Sequence, residues 1–124
     1  MNYLKLTDKV YSVGVLNPNA RYADVIMEIN YGTSYNSYVV LGSEKTAVIE
    51  TVHLKNYEEH IENIIGVIGE KKIDYIVLNH TEPDHSGSLK LLKEKYPEAQ
   101  IIATTAGATY IKNIANADLG VRAV

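Results

Sequence analysis

The chain has 124 residues, which is enough for one modest domain with a real core. It contains no cysteine, which excludes disulfides, thiolate zinc sites, cysteine-ligated iron–sulfur clusters and cysteine nucleophiles. Its net charge of −3 is spread along the chain, so no basic stripe indicates nucleic-acid binding. Because no apolar run approaches a membrane-spanning length or a signal peptide, we expect a cytoplasmic protein without a membrane segment.

The first half of the chain has the pattern of strands. Apolar residues alternate with small or polar ones over residues 10–16, 25–29, 35–41 and 46–52, and turn-forming residues separate these runs. The last two runs are joined by a short turn containing Gly42, which predicts an antiparallel hairpin.

The second half alternates between helical and strand patterns. Apolar residues at helical spacing predict an amphipathic helix from Tyr57 to Ile68, with Asn56 as its N-cap and Gly69 as its stop. Further strands are predicted over residues 73–78 and 100–104, which makes a parallel βαβ unit. The remaining predictions are a helix over 89–96 capped by Ser86 or Ser88, a helix over 106–115 capped by Thr105, and a strand-like start at 119–124. We expect a mixed sheet in the order β-β-β-β-α-β-α-β-α, with its helices on one face.

Two imidazoles and two carboxylates lie within six residues, between the strand over 73–78 and the next helix: His80, Glu82, Asp84 and His85. Loops at the ends of strands are where α/β folds place their chemistry, because the strand fixes the loop while its tip stays open. Residues i and i+2 of an extended loop point the same way, so His80 and Glu82 can bind one ion. Asp84 and His85 can then face a second ion. This mixed donor set suits iron, manganese or zinc, and its oxygen content favours iron or manganese.

The histidines of this chain also have interpretations that involve no metal. Asp84 could orient His85 as a general acid–base pair without metal, although no serine nucleophile motif supports this. His53 and His60 are interpreted as surface residues.

The loop sequence His80–Leu89 (HTEPDHSGSL) resembles that of flavodiiron proteins, also called A-type flavoproteins. The runs 31–38 (YGTSYNSY) and 45–52 (KTAVIETV) support the resemblance, which covers essentially the whole chain. Hydrolases of the metallo-β-lactamase type carry His where this chain has Glu82, and this difference separates the diiron branch from the zinc branch.

The resemblance implies an α/β fold, the αββα metallo-β-lactamase-like sandwich, represented here by roughly its N-terminal half. It also implies a diiron site that reduces dioxygen to water, nitric oxide to nitrous oxide, or both. His80 and Glu82 would bind one iron, and Asp84 and His85 the other. Electrons would come from FMN in a flavodoxin-like domain, supplied in the family's head-to-tail dimer by the other subunit, and from a donor such as rubredoxin.

Part of the family's ligand set has no counterpart in the chain. The family adds two further His ligands and a bridging carboxylate, whereas no His follows His85 here and the one later Asp, Asp118, is outside the bridging motif. We therefore expect residues 1–124 to be a partial diiron domain without the flavodoxin-like domain, inactive by itself. Two other functions stay open: a zinc hydrolase, and a non-catalytic module that pairs with a chain carrying the missing half. We also expect a homo-oligomer, formed through the sheet face that the missing half would cover.

Overall fold

The computed structural model of the chain describes residues 3–17, 22–23, 27–28, 33–79, 88–115 and 120–124. Seven strands in these residues form one sheet, in the spatial order β1 (Leu4–Lys5), β2 (Val10–Ser12), β7 (Tyr38–Leu41), β8 (Thr46–Ile49), β9 (Tyr75–Val77), β10 (Gln100–Ala103) and β11 (Arg122–Ala123). Two small pairs stand apart from it, β3 (Val15–Asn17) with β6 (Thr33–Tyr35), and β4 (Tyr22–Ala23) with β5 (Met27–Glu28). The helices in the described residues are α1 (Tyr57–Ile68), α2 (Leu89–Lys95) and α3 (Thr105–Ala115).

The sheet is antiparallel at one end and parallel at the other. β7 and β8 form the predicted hairpin with Val39 opposite Val48, and the Gly42 N–H closes its turn by donating to the Lys45 carbonyl at 2.8 Å. From β8 to β11, neighbouring strands are parallel and follow chain order. The predicted mixed sheet and βαβ unit are therefore confirmed.

The helices share one face of the sheet. Each of the three described helices connects two adjacent parallel strands, and successive crossovers advance in one direction, so right-handed connections put these three on the same side. Alternate sheet residues and the inner faces of the helices bury one apolar core, which includes Val39, Val48, Ile64, Ile76, Leu92, Ile101 and Ile111. No helix in the described part of the chain is long and apolar enough to cross a membrane.

The opposite face of the sheet carries an apolar row. The strand register places Tyr38, Ile49, Val77 and Ile102 side by side across β7, β8, β9 and β10. All four side chains are only partly buried in this structure. In a sandwich of two sheets, this is the face that packs against the second sheet.

The first predicted strand is divided in two. We expected one strand over residues 10–16, but the chain leaves the main sheet after β2, and β3 pairs with β6 instead. The division occurs at Gly14, where an added Cβ would lie 2.4 Å from the Tyr35 carbonyl oxygen and 3.0 Å from the Ser37 nitrogen. The alternation of apolar and polar residues over 10–16 does not indicate this close approach to a later segment.

Another predicted strand is shorter than expected, and a further one is described only in its middle. The strand predicted over 46–52 ends at Ile49, because Glu50 has φ 65° and an extended strand cannot continue through that conformation. Within the predicted strand 25–29, the structure describes β5 at Met27–Glu28, and the other residues lie outside the described ones.

The ends of α1 are partly as predicted. Gly69 stops the helix, with φ 61° and its N–H donated to the Ile65 carbonyl at 2.8 Å. Asn56 is at the N-cap position, but its side chain makes no capping hydrogen bond. Instead a 3₁₀ turn, Leu54–Asn56, precedes the helix, and the His53 Nδ1 accepts the Lys55 N–H at 3.2 Å.

The caps of the later helices bear on two predictions, and that of α3 corrects one of them. α3 is capped by Thr104 rather than Thr105, since the Thr104 Oγ1 accepts the Gly107 N–H at 3.0 Å and the helix begins one residue early. Ser88 occupies the N-cap position of α2, yet its hydroxyl makes no capping bond there. The alternative cap, Ser86, lies outside the described residues.

Candidate metal centre

The predicted ligands His80, Glu82, Asp84 and His85 all lie outside the described residues. The structure describes the two ends of the segment that carries them, Asn79 after β9 and Ser88 before α2. Among the described residues, no three His, Asp or Glu side chains form a group that could hold a metal ion. The described geometry at this site therefore consists of the contacts that hold Asn79 and Ser88.

Glu50 lies beside the entry to this segment because β8 and β9 are parallel neighbours. Its N–H donates to the Val77 carbonyl at 2.8 Å, one bond beyond the end of β8. Its φ of 65° is a left-handed conformation, which costs roughly 1–2 kcal/mol for a residue with a Cβ. A non-glycine residue keeps such a backbone where its surroundings over-determine it, and such positions cluster at functional sites.

The Glu50 side chain holds the first end of the segment. The residue is 7% exposed, and its Oε1 accepts the backbone N–H of Asn79. A carboxylate acceptor makes this a charge-assisted bond, about twice as strong as a neutral one. The direction of the chain at residue 79 is thus set by an acidic side chain on the neighbouring strand.

The second end is held by the same short segment, Glu50–Val52, which we call the clamp. The Ser88 N–H donates to the Val52 carbonyl at 3.0 Å, and the Ser88 Oγ accepts the Val52 N–H at 3.4 Å. Both residues are fully buried. Residues 79 and 88 therefore both bond to the clamp, which fixes the two ends of the segment carrying the predicted ligands relative to each other.

Behind the clamp is a buried chain of hydrogen bonds. The Ser37 Oγ donates to the Glu50 carbonyl at 2.9 Å, and the same oxygen lies 2.9 Å from the His60 Nε2. Since the single hydroxyl proton is used toward Glu50, Ser37 accepts from His60, and the imidazole carries its proton on Nε2. The donors thus run in one direction, from His60 through Ser37 to the clamp.

The interpretation of His60 as a surface residue is wrong. Its side chain is fully buried on the inner face of α1, and burial lowers its pKa from 6.5 to about 4. The imidazole is therefore neutral at pH 7. His53 is half-buried, with its ring centroid 6.1 Å from that of Tyr35.

Sequence reasoning missed Glu50, Ser37 and His60, and two of them had a usable signal. His60 lies three residues after Tyr57 and four before Ile64, which is the spacing of the apolar face of α1. Glu50 follows a strand that is parallel to the one preceding the predicted ligands, and the carboxyl ends of parallel strands meet at one sheet edge. For Ser37, the sequence has no comparable signal.

Comparison with known proteins identifies the class to which this fold belongs. The family model described as "ODP family beta lactamase" matches residues 33–120. A metallo-β-lactamase from Cronobacter sakazakii superposes with a TM-score of 0.68 at 20% identity, which shows the shared fold alone. The chain has a metallo-β-lactamase-like fold, as the resemblance implied, and it belongs to the ODP family of β-lactamase-like domains.

Individual relatives narrow the class. The chain is 50% identical along its whole length to "Flavo-diiron protein FprA2" of Clostridium acetobutylicum and covers 31% of it. It is 36% identical to "Nitric oxide reductase" of Moorella thermoacetica, where 80% of the chain matches 25% of the relative. The solved rubredoxin oxygen:oxidoreductase of Desulfovibrio gigas superposes with a TM-score of 0.92 at 32% identity, over 99% of the chain and 31% of that structure. The predicted resemblance to flavodiiron proteins is confirmed, and the chain spans about a third or less of these relatives.

Proposed function

We propose that this chain is the N-terminal part of a flavodiiron oxidoreductase that reduces dioxygen to water, nitric oxide to nitrous oxide, or both. The observation that carries the proposal is the 50% identity to a flavo-diiron protein along the whole chain. Glu82 supports it, because hydrolases with this fold carry His at that position. The names of two relatives, a nitric oxide reductase and a rubredoxin oxygen:oxidoreductase, support the two substrates and a rubredoxin-type electron donor.

In this proposal, His80 and Glu82 bind one iron while Asp84 and His85 bind the other. Two imidazoles and two carboxylates are a donor set that suits iron. When bound, a pair of irons supplies redox chemistry and a place for a small substrate to bridge. The chain's own described contribution is the clamp, which sets where the ligand-bearing segment starts and ends. In the whole protein, FMN of a flavodoxin-like domain would deliver the electrons.

The 124-residue chain alone is proposed to hold metal weakly and to be inactive. Each iron would have two ligands from this chain, whereas stable sites usually have three or four supported by orienting groups. Two adjacent cations also repel each other without a bridging carboxylate. We therefore expect the purified chain to be metal-free or to hold one weakly bound ion, and to reduce neither dioxygen nor nitric oxide with a chemical electron donor.

Anaerobic calorimetric titration with ferrous iron tests the ligand assignment. Weak binding should be seen with the wild-type chain, be lost in His80→Ala and persist in His53→Ala, a matched control because His53 lies outside the ligand segment. Equal binding by both variants would refute the assignment. Two irons per chain that survive dialysis against a chelator would refute the weak site, while bound zinc with hydrolysis of a model ester would favour the hydrolase instead.

The apolar row on the open sheet face supports a further part of the proposal, self-association of the isolated chain. Tyr38, Ile49, Val77 and Ile102 are partly exposed together, and contiguous apolar surface favours association. Ile49→Lys places a charge in the middle of this row and should shift the chain toward monomer in analytical ultracentrifugation. Ile65→Lys, at an exposed position on α1, is the control and should not. A monomeric wild-type chain at high concentration would refute self-association.

A further inference from the structure

We propose that His60 is a positioning residue for the metal-binding segment and acts on it through Ser37 and Glu50. The inference rests on the proposed function only in taking residues 80–85 as the metal-binding segment. The contacts themselves belong to described residues. They join the inner face of α1 to Asn79, the residue directly before His80.

The chain of contacts is continuous. The His60 Nε2 is 2.9 Å from the Ser37 Oγ, which donates to the Glu50 carbonyl at 2.9 Å. The Glu50 Oε1 then accepts the Asn79 N–H. His60, Ser37 and Glu50 are all buried, so water does not compete strongly for the two bonds that join these three residues.

Glu50 is where the contacts converge. Its N–H bonds to Val77, its carbonyl accepts from Ser37, and its carboxylate accepts from Asn79. Together these bonds fix the two peptide planes and the side chain of a residue with φ 65°. Loss of the bond to its carbonyl would remove one of the restraints that keep Glu50 in this conformation. The backbone would then relax toward a commoner conformation, and the carboxylate would move away from Asn79.

The hydrogen bond to Ser37 is the one that the structure describes for the His60 side chain. Its Nδ1 has no hydrogen-bond partner among the described residues, so the bond through Nε2 is the polar contact that orients the ring there. An apolar side chain at this fully buried position would fill the core without the cost of burying an imidazole. A role in space filling alone does not account for a polar ring here, whereas donation to Ser37 does.

A set of substitutions at one position separates donation from packing. His60→Gln puts an amide N–H near the position of the imidazole Nε2, whereas His60→Asn puts it near that of Nδ1, and His60→Leu removes it. Ser37→Ala removes the next link with little change in volume. Ile64→Val is the control, a buried apolar change on the same helix that lowers stability without touching the contacts.

The readout is the Asn79 amide in ¹⁵N-labelled chain, by hydrogen exchange and chemical shift, in metal-free buffer. Exchange protection of Asn79, relative to that of the core amides Val48 and Ile76, should fall roughly tenfold or more in His60→Leu, His60→Asn and Ser37→Ala, as expected for a lost bond to a charged acceptor. His60→Gln should retain the wild-type ratio, and Ile64→Val should lower all protection together. An unchanged ratio in both His60→Asn and Ser37→Ala would overturn the inference, as would an equal loss in Ile64→Val.

A second measurement connects the contacts to metal. Co²⁺ titration, followed by its visible absorption, should give weaker binding in His60→Asn than in His60→Gln. Equal affinity of these two variants would overturn the role in metal binding. If wild-type chain shows no Co²⁺ binding, the proposed metal site fails, and the exchange measurement still decides whether His60 positions Asn79.

Discussion

Lowering the pH should destabilise this chain through the buried imidazole of His60. The imidazole has an ordinary pKa of 6.5 when the chain is unfolded, and burial lowers it to about 4 in the fold. Between these values the unfolded chain binds a proton that the folded chain does not, so the free energy of unfolding falls as the pH falls. Full stability from this group is present above pH 6.5 and is lost on the way down to about pH 4. At 1.36 kcal/mol per pKa unit, the whole loss is about 3 kcal/mol.

Urea unfolding followed by circular dichroism at several values between pH 7.5 and pH 4 measures this loss. His60→Gln keeps a neutral donor that does not titrate, so its free energy of unfolding should fall less steeply over the same range. The difference between the two proteins isolates His60 from the other histidines. Parallel curves for wild type and His60→Gln between pH 6.5 and pH 4 would refute the reasoning.

Two further substitutions test contacts that position the strands of the sheet. Gly14→Ala should cost about 1–3 kcal/mol in chemical denaturation, because its Cβ would meet the Tyr35 carbonyl oxygen at 2.4 Å. A free energy of unfolding equal to that of the wild type would contradict the close approach. The Thr46 N–H donates to the Asp74 Oδ2 at 2.8 Å. This hydrogen bond, with help from the Lys72 charge, holds the pKa of Asp74 below its ordinary 3.8. Asp74 therefore adds stability to the fold that is lost below that pH. Asp74→Asn should flatten the most acidic part of the stability curve, and an unchanged acid limb would show that this hydrogen bond does not act in solution.

The features that sequence could predict are local ones. The hairpin of β7 and β8 follows from two alternating runs and a turn containing Gly42, and α1 follows from the spacing of Tyr57 through Ile68. The parallel strands follow because a helix of this length between two short strands makes a βαβ unit. Each of these signals lies within a window of residues that interact with one another directly.

The features that sequence could not predict depend on contacts between distant segments. The break at Gly14 exists because the backbone of Tyr35–Ser37 passes against it, and no pattern around Gly14 records that neighbour. The end of β8 is set by the backbone of Glu50, a residue type that does not signal a left-handed conformation. His60 is a different case. The surface prediction follows from its place beside Glu59 on the flank of the helix, although its spacing from Tyr57 and Ile64 indicates the core. Here the spacing was the better guide.

Glu50 has a strained backbone, and its carboxylate holds the residue before the proposed metal-binding segment; two substitutions separate these effects. Glu50→Ala and Glu50→Gly both remove the carboxylate that accepts the Asn79 N–H, so both should lose exchange protection at Asn79. They differ in the backbone: a Cβ at φ 65° costs roughly 1–2 kcal/mol, which glycine avoids. Glycine gives back roughly 0.5–1 kcal/mol through the entropy of the unfolded chain. Glu50→Gly should therefore be up to about 1.5 kcal/mol more stable than Glu50→Ala in urea unfolding while binding Co²⁺ no better. If Glu50→Ala were the more stable of the two, the strain at residue 50 would not exist in solution, and the clamp would be a relaxed turn rather than a backbone held in place by its hydrogen bonds.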